Sequence, residues 1–177
     1  MTRKSTLFFF FLFLFLSGAG QTWVSFADST VSFTARYPAS WINKMKEEKR
    51  VFFTSPADDD KDIFRENINI GVKSNPEYGT SLKIEDLLPG VTESLKTRIN
   101  RFQKTSDRLF SFNNTQAAEL KYTGVYDING DSTEISITQW FCFWKQRLYT
   151  ITYTAQKGNN RHDADARKIM ESIRFRD

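Results

Sequence analysis

The sequence predicts an α+β fold, an α/β/α sandwich with a central antiparallel sheet flanked by helices. Three patterns carry that expectation: period-two strands in both halves, one amphipathic helix between them, and a second helix near the end. The 177 residues suit one ordinary domain, with no internal repeat or low-complexity linker to divide it. A composition 40% hydrophobic, 15% aromatic and 26% charged excludes a disordered or collagen-like chain.

Residues 1–20 come first. Arg3 and Lys4 precede an unbroken apolar run, Leu7 to Leu16, followed by the small residues Ser17, Gly18, Ala19 and Gly20. That order predicts a signal peptide over 1–20, cleaved after Ala19 or Gly20, and a single domain over 21–177. The run is half of the roughly 20 residues a membrane-spanning helix needs. No later run is longer, so no transmembrane segment is expected after cleavage, and the product should be secreted, into a periplasm. Losing Arg3 and Lys4 lowers the net charge from +4 to +2, which gives no nucleic-acid footprint.

Val31, Phe33, Ala35 and Tyr37 alternate with polar residues, predicting a first strand that Pro38 ends and that Trp41 plugs from one end. Val51 to Phe53 and then Ile68, Ile70 and Val72 mark two more strands. Asp58, Asp59, Asp60 and Asp62 form an acidic loop between them. Leu88, Val91, Leu95, Ile99 and Phe102 make an apolar stripe, so a helix should begin near Pro89, with Lys96, Arg98, Arg101 and Lys104 on its exposed side. Ile84 and Leu87 would lie in a lead-in turn. A short strand is expected from Leu109 to Phe112, and a longer one with Ala118, Leu120, Tyr122, Gly124 and Tyr126 on one face. Asn129-Gly130 predicts a hairpin. The strand after it, Thr133 to Trp144, becomes apolar on both faces from Trp140 onward, so it must be central and covered on both sides. Its partner runs from Leu148 to Ala155, with Tyr149, Ile151 and Tyr153 on one face. A closing helix follows Asn159 and Asn160, with Ala166, Ile169, Met170 and Ile173 as its stripe.

Little of this carries chemistry. One cysteine, Cys142, excludes an internal disulfide and multi-thiolate metal sites, and reads as a buried free thiol between Trp140 and Trp144. One histidine, His162, excludes two- and three-histidine sites. Its neighbours Asp163 and Asp165 point elsewhere on a helix, and no Gly-x-Ser-x-Gly turn exists, so His162 reads as a surface residue at a helix start. No glycine-rich phosphate loop is present. Asp127 to Asp131 lacks the glycine and glutamate positions of a calcium loop. Asp58, Asp59, Asp60 and Asp62 could gather a hard cation, although such runs are usually solvated. Asn113-Asn114-Thr115 is a glycosylation acceptor if the source is eukaryotic. No catalytic, metal or cofactor residue is assigned, and no cofactor is expected.

The segment Phe33-x-x-Arg36-Tyr37-Pro38-x-x-Trp41, the strand Glu66-Asn67-Ile68-Asn69-Ile70 and the ending Ile169-Met170-Glu171-Ser172-Ile173-Arg174-Phe175 resemble the PsbP-like family over about residues 24–175. The resemblance implies an antiparallel sheet between helices. It also implies a binding module: plant members are extrinsic subunits of the photosystem II oxygen-evolving complex, and a Ran-binding nuclear protein shares the fold. The simple leader differs from a plastid transit segment. The expectation is therefore an exported, non-catalytic accessory or binding protein of the cell envelope, acting through a protein partner. The alternatives are a secreted hydrolase-type enzyme or a divalent-cation-binding module, each drawing on the Asp58 to Asp62 carboxylates.

Overall fold

The computed structural model describes residues 21–46, 50–128 and 130–176. The expected signal peptide and Asn129 lie outside the described residues. Within them the chain is α+β, mostly antiparallel sheet with two helices. In order come β1 (Trp23–Asp28), β2 (Phe33–Pro38), β3 (Ile42–Lys46), β4 (Arg50–Thr54), β5 (Asn67–Ser74) and α1 (Ile84–Arg98). Then follow β6 (Asn100–Phe112), β7 (Thr115–Ile128), β8 (Asp131–Trp144), β9 (Arg147–Gln156), α2 (Asp163–Ser172) and β10 (Arg174–Phe175). Seven strands form one sheet in the order β3-β4-β5-β9-β8-β7-β6, and β1-β2-β10 form a separate small one.

The two-faced strand behaves as its composition demands. Along β8, Trp140 and Cys142 enter one apolar cluster, while Phe141 and Phe143 enter another. Successive strand residues point to opposite faces, so β8 must be covered on both. The first cluster takes Ala166, Ile169, Met170 and Ile173 from the α2 region, together with Phe33, Trp41 and Phe53. The second takes Ile84, Leu88, Val91 and Leu95 from α1. α1 packs on β6, β7 and β8, and α2 packs on β2, β5 and β9.

Several expectations are corrected. β2 belongs to the small sheet, paired with β1 and β10, and not to the main one. Neither partner alternates cleanly enough to announce itself. α1 begins at Ile84, not near Pro89, which sits in its second turn. There the missing proline N–H removes only one bond near the helix start. A backbone N–H at Lys83 donates to Asp86 Oδ2 at 3.3 Å, and Glu85 and Asp86 complement the helix dipole. β6 is a 13-residue strand that includes Phe102, Arg101 and Lys104, so the apolar stripe and the basic face are shared between helix and strand. Phe102 still reaches the same cluster, with its ring 5.2 Å from that of Tyr122.

The hairpins use left-handed backbone. Asn113 (φ 50°) and Asn114 (φ 59°) join β6 to β7, Lys145 (φ 47°) and Gln146 (φ 56°) join β8 to β9, and Gly130 (φ 93°) stands in the β7–β8 turn. The Asn113 amide also holds β10. It donates to the Ile173 carbonyl at 3.0 Å and accepts from the Phe175 N–H at 3.4 Å, so the residue read as a glycan acceptor is a structural clamp.

Gly124 sits against the residues that carry the chain from α1 into β6. A Cβ there would stand 2.2 Å from Ile99 Cγ2 and 3.2 Å from the Asn100 carbonyl oxygen. Gly124→Ala should therefore lower stability by about 1–3 kcal/mol through overpacking. Gly71→Ala, in open space at mid-strand, serves as the control. Urea midpoints compare the two, and equal midpoints would contradict the packing.

Candidate functional site

The acidic loop is strapped to the start of α2. Asp58 Oδ1 lies 3.0 Å from both Arg161 Nη1 and His162 Nε2, and Oδ2 accepts from Asn159 Nδ2 at 2.8 Å. The same Asn159 amide donates to Glu66 Oε1 at 3.0 Å, and Glu66, fully buried, also receives Ser55 Oγ at 3.4 Å. Burial pushes the Asp58 carboxyl up, but the bonds from Asn159, Arg161 and His162 outweigh it and hold the group below its ordinary value. Asp62 caps the backbone N–H groups of Asp58 and Phe64, at 2.9 and 3.0 Å. Asp59 accepts from the Lys61 N–H at 2.7 Å, and Asp59 and Asp60 are exposed. Among the described residues no three His, Cys, Asp or Glu side chains are arranged to hold a metal ion.

His162 is not on the surface. It is 8% exposed, with its ring edge-on to Trp41 at 5.8 Å. Trp41 and the loop cover it together, which no pattern local to His162 could announce. Cys142 is free and buried, and burial pushes its thiol up to about 12, far from the thiolate needed for nucleophilic chemistry.

A separate concavity lies elsewhere. A groove of about 750 Å³ runs across β6–β9, with α2 and β10 as its wall. Its floor is set by sheet register: Arg108, Glu119 and Trp140 stand directly opposite one another on three adjacent strands. Glu119 Oε1 accepts from Arg108 Nε and Oε2 from Trp140 Nε1, both at 2.8 Å, and Lys121 Nζ is 3.8 Å away. Burial of Glu119 raises its pKa, but the bonds from Arg108 and Trp140, aided by the two cations, leave it lowered and ionised. The carboxylate thereby fixes the Trp140 ring.

Around that ring is a sheet of aromatics. Phe110 and Phe112 lie 5.0 and 5.3 Å from Trp140, Phe175 lies 5.8 Å from Phe112, and Trp144 lies 5.7 Å from Phe175. Phe110, Trp144 and Phe175 are only half-buried, so the floor is an open apolar surface. Exposed Arg108, Lys121, Arg167, Glu171 and Arg174 form a rim of mixed sign. At the far wall, the Tyr153 hydroxyl donates to Asp163 Oδ1 at 2.9 Å. Burial, then that bond and the Asp163 charge, push the Tyr153 hydroxyl well up, so it is a donor and not a base. The groove is suited to hold apolar and charged groups together. One signal for it stood in the sequence: Glu119 is a lone carboxylate between Ala117, Ala118 and Leu120.

No protein-family model matches the chain, and no curated protein matches it in sequence. Solved structures do match. The cyanobacterial PsbP of Synechocystis superposes with a TM-score of 0.62 at 11% identity, over 89% of this chain and 95% of that one. A Mog1 variant gives 0.58 at 10% identity, over 88% and 97%. LpqN, described as involved in cell envelope biogenesis of Mycobacterium tuberculosis, gives 0.54 at 12% identity, over 91% and 88%. The chain shares the fold of PsbP-like proteins. At such identities the likeness is one of fold alone, so the residues above must speak for function.

Two outcomes follow from the buried groups. A Glu119 pKa held below its unfolded value adds stability that is present above about pH 4.3 and lost as pH falls through the folded value. Glu119→Gln should lower stability at pH 7 by about 1–3 kcal/mol and flatten the acid limb of a denaturation-versus-pH curve. An unchanged acid limb would contradict the assignment. Cys142 should resist a thiol reagent in the native protein and react fully in denaturant; prompt native labelling would show the thiol to be accessible.

Proposed function

We propose that this chain is an exported, non-catalytic binding module of the cell envelope, folded as an α/β/α sandwich, that holds a protein partner in the groove over β6–β9. The observation that carries the reading is the groove itself: half-buried Phe110, Trp144 and Phe175 around a fixed Trp140, ringed by charge. Rigid aromatic anchors surrounded by a polar rim are what partner hot spots are made of. Glu119, the groove's buried carboxylate, is spent on Trp140 and Arg108, which supports a scaffolding role over a catalytic one. Export rests on the Arg3–Gly20 leader pattern. The neighbour described as involved in envelope biogenesis supports the compartment.

A photo-cross-linking residue at Lys121, on the groove rim, should give one discrete protein adduct in envelope extract. The same residue at Asp131, in the β7–β8 hairpin, should not. Phe110→Ala should reduce the Lys121 adduct by about tenfold, the loss expected of a truncated anchor. Adducts at both positions, or at neither, would reject the groove as the docking face.

A further inference from the structure

A second cleft lies across the sheet from the groove. Gln139 and Trp140 are neighbours in β8 and point to opposite faces; Trp140 floors the groove, and Gln139 floors this cleft of about 910 Å³. α1 closes one side, with Leu95, Arg98 and Ile99, and the floor beyond it is made by β5, β8 and β9. That floor is unlike the rest of the sheet. Asn69, Thr152 and Gln139 stand opposite one another across three strands, and Asn67 stands opposite Thr154 in the next row. β9 thus shows Tyr149, Ile151 and Tyr153 to one cluster and threonines to the cleft.

The floor has unused hydrogen-bonding capacity. Gln139 donates through Nε2 to Thr152 Oγ1 at 2.9 Å, yet its Oε1 is buried with no partner. Such an orphan acceptor costs about 1–3 kcal/mol unless something donates to it. Thr154, 4% exposed, lines the cleft beside it. The charge pattern is equally one-sided. Arg50, Lys73 and Arg98 line the cleft, and among the described residues no carboxylate does. None of the three forms an ion pair with a described residue. Tyr126, half-buried beside Arg98, adds an aromatic edge.

We propose that this cleft binds a small hydroxylated anion, a polyol frame bearing a carboxylate or phosphate, such as a sugar acid or sugar phosphate. Arg50, Lys73 and Arg98 take the charge, and guanidinium groups suit either oxyanion through paired N–H donors. Gln139 Oε1 accepts from a ligand hydroxyl, and the Thr154 and Asn69 side chains bind further hydroxyls. The site is separate from the protein-docking groove and does not depend on it.

Titration calorimetry on the purified protein tests this with glucuronate, glucose 6-phosphate, glucose and inorganic phosphate. Glucuronate, glucose 6-phosphate or both should saturate; which one does identifies the anion. Glucose and inorganic phosphate should each bind at least about tenfold more weakly, because each offers only half of the recognised chemistry. The double variant Arg50→Ala/Arg98→Ala changes exposed residues, so it should fold, and should weaken the acidic sugar by about tenfold or more. Gln139→Leu should weaken it several-fold while leaving the melting temperature equal or higher, since the orphan acceptor is gone. Lys121→Ala, in the groove, should leave it unchanged. The proposal is overturned if neither acidic sugar saturates by about 10 mM, if glucose binds as well as glucuronate, or if the double variant binds normally.

Discussion

The molecule is arranged around one strand that is apolar on both faces. From Trp140 to Trp144, β8 offers consecutive large apolar side chains, and the period of two sends them to both sides of the sheet. At about 25 cal/mol per Å² of apolar surface, burying one such aromatic is worth a few kcal/mol, and exposing either face would forfeit several of them. Two layers of cover are therefore obligatory. α1 supplies one, and α2 with the small β1-β2-β10 sheet supplies the other. The rest of the main sheet grows outward from β8 through its two neighbours, β9 and β7.

What could be read in the sequence follows from where information is local. β8, β9 and α2 were legible because their burial leaves a period of two, or of three to four, in the residues themselves. β6 was legible only at Leu109 to Phe112, since an edge strand facing solvent has no apolar face to reveal. Charged Arg101, Lys104, Asp107 and Arg108 along it, with register shifts near Gln103 and Ser106, instead guard a free edge. β10 is two residues long and exists because the distant Asn113 amide holds it.

The candidate site was less legible than the fold, and for a related reason. Asp58 looked like a solvated or cation-binding residue because its partners, Asn159, Arg161 and His162, lie about a hundred positions away. Glu119 owes its role to two cross-strand neighbours, Arg108 on one side and Trp140 on the other. Pairing across strands depends on register, and register is set by turns whose left-handed residues here are Asn, Lys and Gln, with Gly130 the exception. Chemistry built from neighbours in space leaves only a hint in sequence, here a carboxylate in an apolar run.

The two clefts have a common geometric origin. Seven strands about 4.8 Å apart span roughly 29 Å, whereas one helix with its side chains is about 10–12 Å wide. A single helix cannot cover such a face. α1 lies over β6, β7 and β8, leaving the β5–β9 half open on its side. α2 lies with β2 over β5 and β9, leaving the β6–β8 half open on the other. The covers are thus offset diagonally, and each bare half took a different composition. Where β8 must present Trp140 and Trp144, the bare half is aromatic and needs a rim of charge to stay soluble. Where β9 is free to present threonines, it is polar, and α1 delivers Arg98 from its last turn, where a cation also suits the helix dipole. One undersized layer on each face is therefore enough to give a small domain two chemically distinct surfaces without any further element.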